Sequence, residues 1–298
     1  MRRWTVRTHL AGLVALAAAA CARGERAPAA AGPAVIDDAH RRVTLAVPAR
    51  RIVSLLPSFT EMLFAIGAGD RLVGRTAWCD YPPAALAVPS VGDGIPPNVE
   101  AVAARQPDLV VLYRSGPNAT AAEQLERLGI RTVLFDLNRL EELAPAARRL
   151  GVLTGRRAAA DSLARAMDSL VSQGPESPTP NPKSLAFIVW DNPPIVIGAG
   201  SFLDRLAGLA GARNVFHDIA TPSAQVSIET IAARNPDFIA VLSDTAAPPR
   251  YAGRPEWRVV PAVRKGRFLV LPGGLFGRPG PRAAEAVREL RRRLETTP

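Results

Sequence analysis

Few of the 298 residues can attack a carbonyl, transfer a proton or hold a metal. Of the three histidines, His9 lies close to the N-terminus, and His40 and His217 stand isolated. There is no GxSxG elbow, HExxH helix or CxxC pair, so the usual arrangements for acyl transfer, zinc hydrolysis and dithiol chemistry are missing. Gly198-Ala199-Gly200, with Asp218 further on, comes nearest to a dinucleotide-binding turn. Leu203 occupies the third glycine position, however, and seven residues read as loop separate the preceding strand from the glycines. An exported α/β enzyme is thus the weaker reading, because no nucleophile is paired with a base. The residues that could bind rather than react are aromatic: Trp78, Tyr113 and Trp190 offer flat apolar faces.

Composition bounds the setting. With 48% hydrophobic and 21% charged residues the chain buries a sizeable core, enough for two lobes around one site, which excludes disordered and fibrous classes. The formal charge of +10 is spread along the chain, and no aromatic-rich basic segment could stack bases, so it reads as a solvated basic surface with no nucleic-acid partner.

The N-terminus carries an address. Arg2, Arg3 and Arg7 precede an apolar run from Leu10 to Ala20, the charge pattern of a secretory signal over residues 1–20. At eleven residues the run is too short for a permanent membrane span. Ala18-Ala19-Ala20-Cys21 resembles a bacterial lipoprotein box in which Ala18 replaces the usual leucine. Cys21 is therefore expected to be lipidated, leaving Cys79 as a lone thiol, with a Cys21–Cys79 disulfide as the competing arrangement. Residues 21–34 are rich in Ala, Gly and Pro and read as a tether to the membrane.

The elements that must position the binding groups follow. Val35 to Val47 suggests a hairpin around Asp37-Asp38-Ala39-His40, and Arg51 to Leu56 reads as a strand covered on both faces. Ser58-Phe59-Thr60-Glu61 then looks like a capping box opening a helix that stops at Gly67. Strands at Leu109–Tyr113 and Arg131–Phe135 flank a helix over Ala121–Leu128, and such alternation implies a mostly parallel sheet. The segment from Val99 to Val110 (VEAVAARQPDLV) recurs 129 residues later from Ile228 to Ile239 (IETIAARNPDFI), each copy preceded by a polar cap, Asn98 or Ser227. Two similar α/β lobes are expected, an N-lobe at 35–139 and a C-lobe at 183–298. Between them, 140–153 and 156–171 read as helix, the second with Leu163, Ala166, Met167, Leu170 and Val171 on one face, and 174–182 is a proline-rich break. The crossing is expected to be one long helix. Ser201 to Asp204 looks like another capping box after the strand at 184–190.

Arg51-Ile52-Val53-Ser54-Leu55-Leu56-Pro57-Ser58-Phe59-Thr60-Glu61, Val73-Gly74 leading to Cys79-Asp80-Tyr81-Pro82-Pro83, and the segment from Asn98 to Val110 together resemble the cobalamin and iron-siderophore substrate-binding proteins of ABC importers, most closely the cobalamin branch. The resemblance runs from Val35 to the C-terminus. It implies two Rossmann-like lobes joined by a single long helix, a ligand cleft between them, no catalysis, no cofactor and no protein-bound metal. It also implies a small-molecule chelate as ligand, an ABC permease dimer with its ATPase as partners, and a periplasmic location. Trp78, Tyr81, Tyr113, Trp190, Phe276 and Arg278 fall on positions that face the ligand, and Glu100 and Glu229 on positions that meet permease arginines. Three family positions depart: two tryptophans fall on Gly94 and Ser223, and an acid falls on Gly274. With half the aromatic cage missing, a cobinamide-like corrinoid, heme or a ferric siderophore stands beside cobalamin as the ligand.

Overall fold

The protein is described by a computed structural model over Met1 and residues 32–173, 181–245 and 247–297; the signal segment and Cys21 lie outside the described residues. Strand β1 (Ala34–Ile36) pairs antiparallel with β2 (Arg42–Thr44) as expected of the hairpin. Asp37 Oδ1 accepts the amides of Ala39 and Arg41 at 3.0 and 2.9 Å, and His40 takes a positive φ of 59° to close the turn.

The N-lobe alternates strand and helix: β3 (Ile52–Ser54), α1 (Pro57–Ala65), β4 (Leu72–Arg75), α2 (Val99–Ala103), β5 (Leu109–Tyr113), α3 (Gly116–Arg127) and β6 (Arg131–Phe135). These four strands pair in parallel in the order β4-β3-β5-β6. Their near-continuous apolar runs are buried on both faces, as helices over a parallel sheet require. After α4 (Leu143–Thr154) and α5 (Arg157–Ser172), the C-lobe runs β7 (Ser184–Asp191), β8 (Pro194–Ile197), α6 (Phe202–Leu209), β9 (Arg213–Asn214), β10 (Ser223–Gln225), α7 (Ile228–Arg234), β11 (Phe238–Leu242), α8 (Pro261–Arg264), β12 (Phe268–Leu271), α9 (Gly273–Phe276) and α10 (Ala283–Thr296). Its parallel strands β9, β7, β11 and β12 repeat the N-lobe order. The C-lobe departs from a purely parallel sheet, since β8 and β10 add an antiparallel edge. The seven residues after Trp190 that read as loop thus contain a turn and the strand β8.

The repeat does the same work twice. Asn98 Oδ1 accepts the Ala101 amide at 2.9 Å, and Ser227 Oγ accepts the Thr230 amide at 3.1 Å. Gln106 and Asn235, at the same repeat position, both take positive φ, 49° and 42°, and turn the chain into the next strand. The two Pro-Asp carboxylates then tie down a neighbouring strand: Asp108 accepts the amides of Arg50 and Arg51 before β3, and Asp237 accepts the Ser184 amide and hydroxyl at the start of β7. Although burial pushes the Asp237 carboxyl up, the Ser184 bonds win and hold it below its ordinary value.

Two helices sit between the lobes, and one of them makes the crossing. Helix α4 belongs to the N-lobe: its Leu153 carbonyl accepts the Ala49 amide at 2.8 Å and its Thr154 carbonyl accepts Arg71 at 2.6 Å. Gly155, with φ of 68°, ends it, and a Cβ on Gly151 would stand 2.3 Å from the Ala160 Cβ, so the missing side chain lets α5 pack close against α4. Helix α5 then reaches the C-lobe, where its Val171 carbonyl accepts Arg205. Its buried stripe is Ala160, Ala164, Met167 and Leu170; Ala166, expected on that face, is exposed. Residues 32–298 form one unit, and a single core runs through Phe135 and Leu150, across Ala160 and Met167, into Leu185, Phe202 and Leu290.

Candidate ligand cleft between the lobes

The expected cleft residues come from the C-terminal ends of parallel strands, where an α/β sheet leaves its crevice. In the N-lobe, Trp78, Asp80 and Tyr81 follow β4, Tyr113 ends β5, and Glu61 sits on the helix after β3. In the C-lobe, Trp190 stands near the end of β7, and Arg278 and Arg282 follow β12 and α9.

The loop after β4 is held from below by a buried arginine. Arg75 is 8% exposed, and its guanidinium spends itself on carbonyls, Nε on Ala85 and Nη1 on Thr76, both at 2.9 Å. Cys79 is a buried free thiol 3.1 Å from Thr76 Oγ1. With its base fixed this way, the loop turns its rings outward: Trp78 is 63% exposed and Tyr81 40%. Trp190 is equally open at 59%, its Nε1 donating to the Asn192 carbonyl at 2.8 Å.

Ion pairs join the lobes here. The Glu61 carboxylate accepts Arg282 Nε at 2.8 Å and Nη2 at 2.6 Å, and Nη2 also donates to the Gly274 carbonyl at 2.6 Å. Arg282 lies against the face of Tyr81, 3.8 Å from the ring centroid. Arg278 grips Asp80 through both terminal nitrogens and stands 3.9 Å from Glu61. The two acids differ in environment. Burial pushes the Glu61 carboxyl above its ordinary value against the pull of Arg282 and Arg278, whereas the Arg278 bonds hold Asp80 below its own. A second tie runs through Asn138, whose side chain accepts the Tyr113 hydroxyl at 2.8 Å and whose carbonyl accepts the Phe202 amide at 2.7 Å.

Several expectations need correction. Phe276 is 1% exposed and packs in the core, because α9 turns it inward; it presents no face to the cleft. Tyr113 is half-buried against the same core with its hydroxyl committed to Asn138. The capping box at Ser58 does not form: Pro57 is the first helical residue, Leu56 the cap, and Glu61 reaches across the cleft instead. At the second box Ser201 does accept the Asp204 amide at 3.0 Å, but the Asp204 carboxylate binds Asn214 and His217, so His217 is not isolated. The glycine at 94 has a physical reason: its φ is 90°, and a Cβ would stand 2.5 Å from Thr76 Cγ2, which leaves no place for a tryptophan. Glu100 and Glu229 lie exposed at the second position of α2 and α7, and among the described residues neither has an ion-pair partner. Sequence reasoning missed the Glu61–Arg282 bridge. The signal available was a carboxylate set within the apolar stretch from Phe59 to Ile66.

A family model described as periplasmic binding protein matches residues 52–274. An uncharacterized ABC transporter substrate-binding lipoprotein of Bacillus subtilis is 33% identical over 267 residues, covering 87% of this chain and 84% of that protein. A vitamin B12-binding protein of Vibrio cholerae is 29% identical over 248 residues, covering 82% of this chain and 88% of that protein. The crystal structure of a periplasmic vitamin B12-binding protein of Vibrio cholerae superposes with a TM-score of 0.67 at 25% identity, covering 83% of this chain and 97% of that one. The fold also matches a periplasmic heme-binding protein of Roseiflexus sp. RS-1, with a TM-score of 0.71 at 23% identity, covering 82% of this chain and 97% of that one.

Removing Arg282 leaves the Glu61 carboxyl, 2% exposed, without its partner. Arg282→Ala is expected to cost about 3 kcal/mol in denaturant unfolding at pH 8. An acid whose folded pKa exceeds its unfolded value favours folding at low pH and loses that contribution as pH rises, so the deficit should shrink at pH 5. The double change Glu61→Gln plus Arg282→Met should recover most of it; equal deficits at both pH values would remove Glu61 from the account.

Proposed function

The chain belongs to the periplasmic binding protein family, and from that premise we propose that it captures a corrinoid outside the cytoplasm and delivers it to an ABC importer without chemical change. The observation that carries this reading is the exposure of Trp78, Tyr81 and Trp190 after the C-terminal ends of parallel strands, in lobes that ion pairs from the Trp78–Tyr81 loop and α1 join. Large flat rings are left in water where a large flat ligand covers them, since stacking gives wide apolar contact at small entropic cost. The vitamin B12-binding relatives support the corrin. A metal-chelate cargo also suits the site, because the described residues contain no cluster of three His, Cys, Asp or Glu that would ligate a bare ion. A second reading, heme or a ferric siderophore, draws on the Arg278 guanidinium, held to Asp80 on the loop that carries Trp78 and Tyr81, which suits carboxylate-bearing chelates.

In this reading Cys21 carries a lipid and the residues between it and β1 tether the body to the membrane, in keeping with a lipoprotein among the relatives. The paired Glu100 and Glu229 dock the permease. Their position on α2 and α7 earns only the small dipole stabilisation of an acid in a first helical turn, which a neutral residue gives up cheaply. A permease built as a two-fold dimer presents two equivalent basic patches, and a monomer with duplicated lobes meets both by repeating the acid.

Three measurements test these statements. Adding cyanocobalamin to the tetherless domain should quench tryptophan emission and shift the visible spectrum, and Trp78→Ala should weaken binding by about 1 to 3 kcal/mol. No cyanocobalamin signal with a clear heme or siderophore signal would transfer the assignment to the second reading. Glu100→Ala plus Glu229→Ala should abolish uptake through the cognate permease at unchanged ligand affinity, whereas intact uptake returns both residues to helix capping. Cys21→Ser should shift the protein from the membrane to the soluble periplasmic fraction; a Cys21–Cys79 disulfide in the mature chain rules lipidation out.

A further inference from the structure

The ion pairs across the cleft fall into two kinds. Glu61 and Arg282 are enclosed, 2% and 17% exposed as side chains, and Arg282 is additionally fixed by the Gly274 carbonyl and the Tyr81 ring. That pair is enclosed and fully bonded. Asp80 and Arg278 are unequal: the Arg278 side chain is 14% exposed, while that of Asp80 is 53% exposed on the loop that carries Trp78 and Tyr81. Both terminal nitrogens of Arg278 are spent on this one exposed acid, because Glu61, 3.9 Å away, already takes two bonds from Arg282.

The charge count gives the consequence. Two carboxylates and two guanidiniums make a neutral set; with Asp80 swung into water, the set carries one net positive charge and Arg278, with Glu61 still 3.9 Å away, has an empty bidentate fork. A guanidinium fork fits a carboxylate or a phosphodiester in the same planar way that it fits Asp80. We propose that Asp80 stands in the seat of an anionic group of the ligand, so that the cleft selects chelates whose carboxylate or phosphodiester takes Arg278 from Asp80. A chelate that carries no carboxylate or phosphodiester finds no reward for breaking the pair and leaves it closed. Asp80 is thereby a specificity-determining residue that lowers affinity for the very ligands Arg278 favours, since only the fraction of molecules with the pair open binds them. The inference rests on the cleft being the ligand site and goes beyond it in naming which chemical group on the ligand is read, and by what.

The experiment compares wild type with Asp80→Asn, an isosteric change at a half-exposed loop position, using cyanocobalamin, which has a phosphodiester, dicyanocobinamide, which lacks it, and hemin, which has two carboxylates. Melting curves check that the variant folds, and Asp80→Ser serves as the second variant. The expected result is a gain of about two- to five-fold in affinity for those chelates bearing a phosphodiester or carboxylate that bind, the amount that releasing one half-exposed ion pair supplies, with none for dicyanocobinamide. The gain should fall with added salt, and Arg278→Gln should erase the difference between cyanocobalamin and dicyanocobinamide. Equal or absent gains for cyanocobalamin and dicyanocobinamide overturn the proposal while leaving corrinoid binding intact. A gain for hemin with no cyanocobalamin binding overturns corrinoid binding and supports this proposal. Failure of all three chelates to bind overturns both.

Discussion

The bridge between Glu61 and Arg282 is the interaction on which the rest of the cleft depends. It joins the helix after β3 in one lobe to the segment after α9 in the other, and it does so from burial, with 2% of the Glu61 side chain exposed. A buried carboxylate is costly unless every lone pair is answered, and here two Arg282 nitrogens answer it while the Gly274 carbonyl and the Tyr81 ring hold the guanidinium in place. The same contact that closes the lobes therefore also orients Tyr81. Among the described residues the neighbouring Arg278 is left with Asp80 as its only bidentate partner, so the enclosed pair sets the state of the exposed one.

Behind the cleft the two lobes share a packed core rather than a flexible joint. Glycines at 151 and 155 allow α5 to lie against α4, and the apolar faces of both helices merge with α6 and α10. Opening the lobes widely would pull this core apart, so small adjustments at the rim cost far less than a hinge swing. The exposed loop after β4 is where such adjustment is cheapest: Arg75 anchors its base through carbonyls while Trp78, Asp80 and Tyr81 remain outside.

Duplication explains why both ends of the molecule look alike. The same capped helix, positive-φ turn and Pro-Asp carboxylate recur in each lobe, each carboxylate tying down the first strand of its own sheet. A motif that solves a local folding problem twice also places Glu100 and Glu229 at equivalent outer positions.

Local interactions are written in adjacent residues, and these were legible. The hairpin at Asp37–His40, the strands at β5 and β6, the caps Asn98 and Ser227 and the repeated lobe plan follow from short-range spacing, and the structure has each of them. The antiparallel edge of β8 and β10 was not legible, because the pairing of Ile195 with Gln225 joins segments whose sequences look like loop. Tertiary structure alone decided the partners of charges. Glu61 reads as a capping residue from its neighbours Ser58 and Pro57, yet a cap is worth less to it than Arg282, 221 residues away. Phe276 and Arg278, two positions apart, go to opposite environments, one into the core and one toward Asp80. Spacing along a chain reports which side chains share a helix face or strand edge; it carries no information about which lobe arrives opposite them, and the cleft is made of those arrivals.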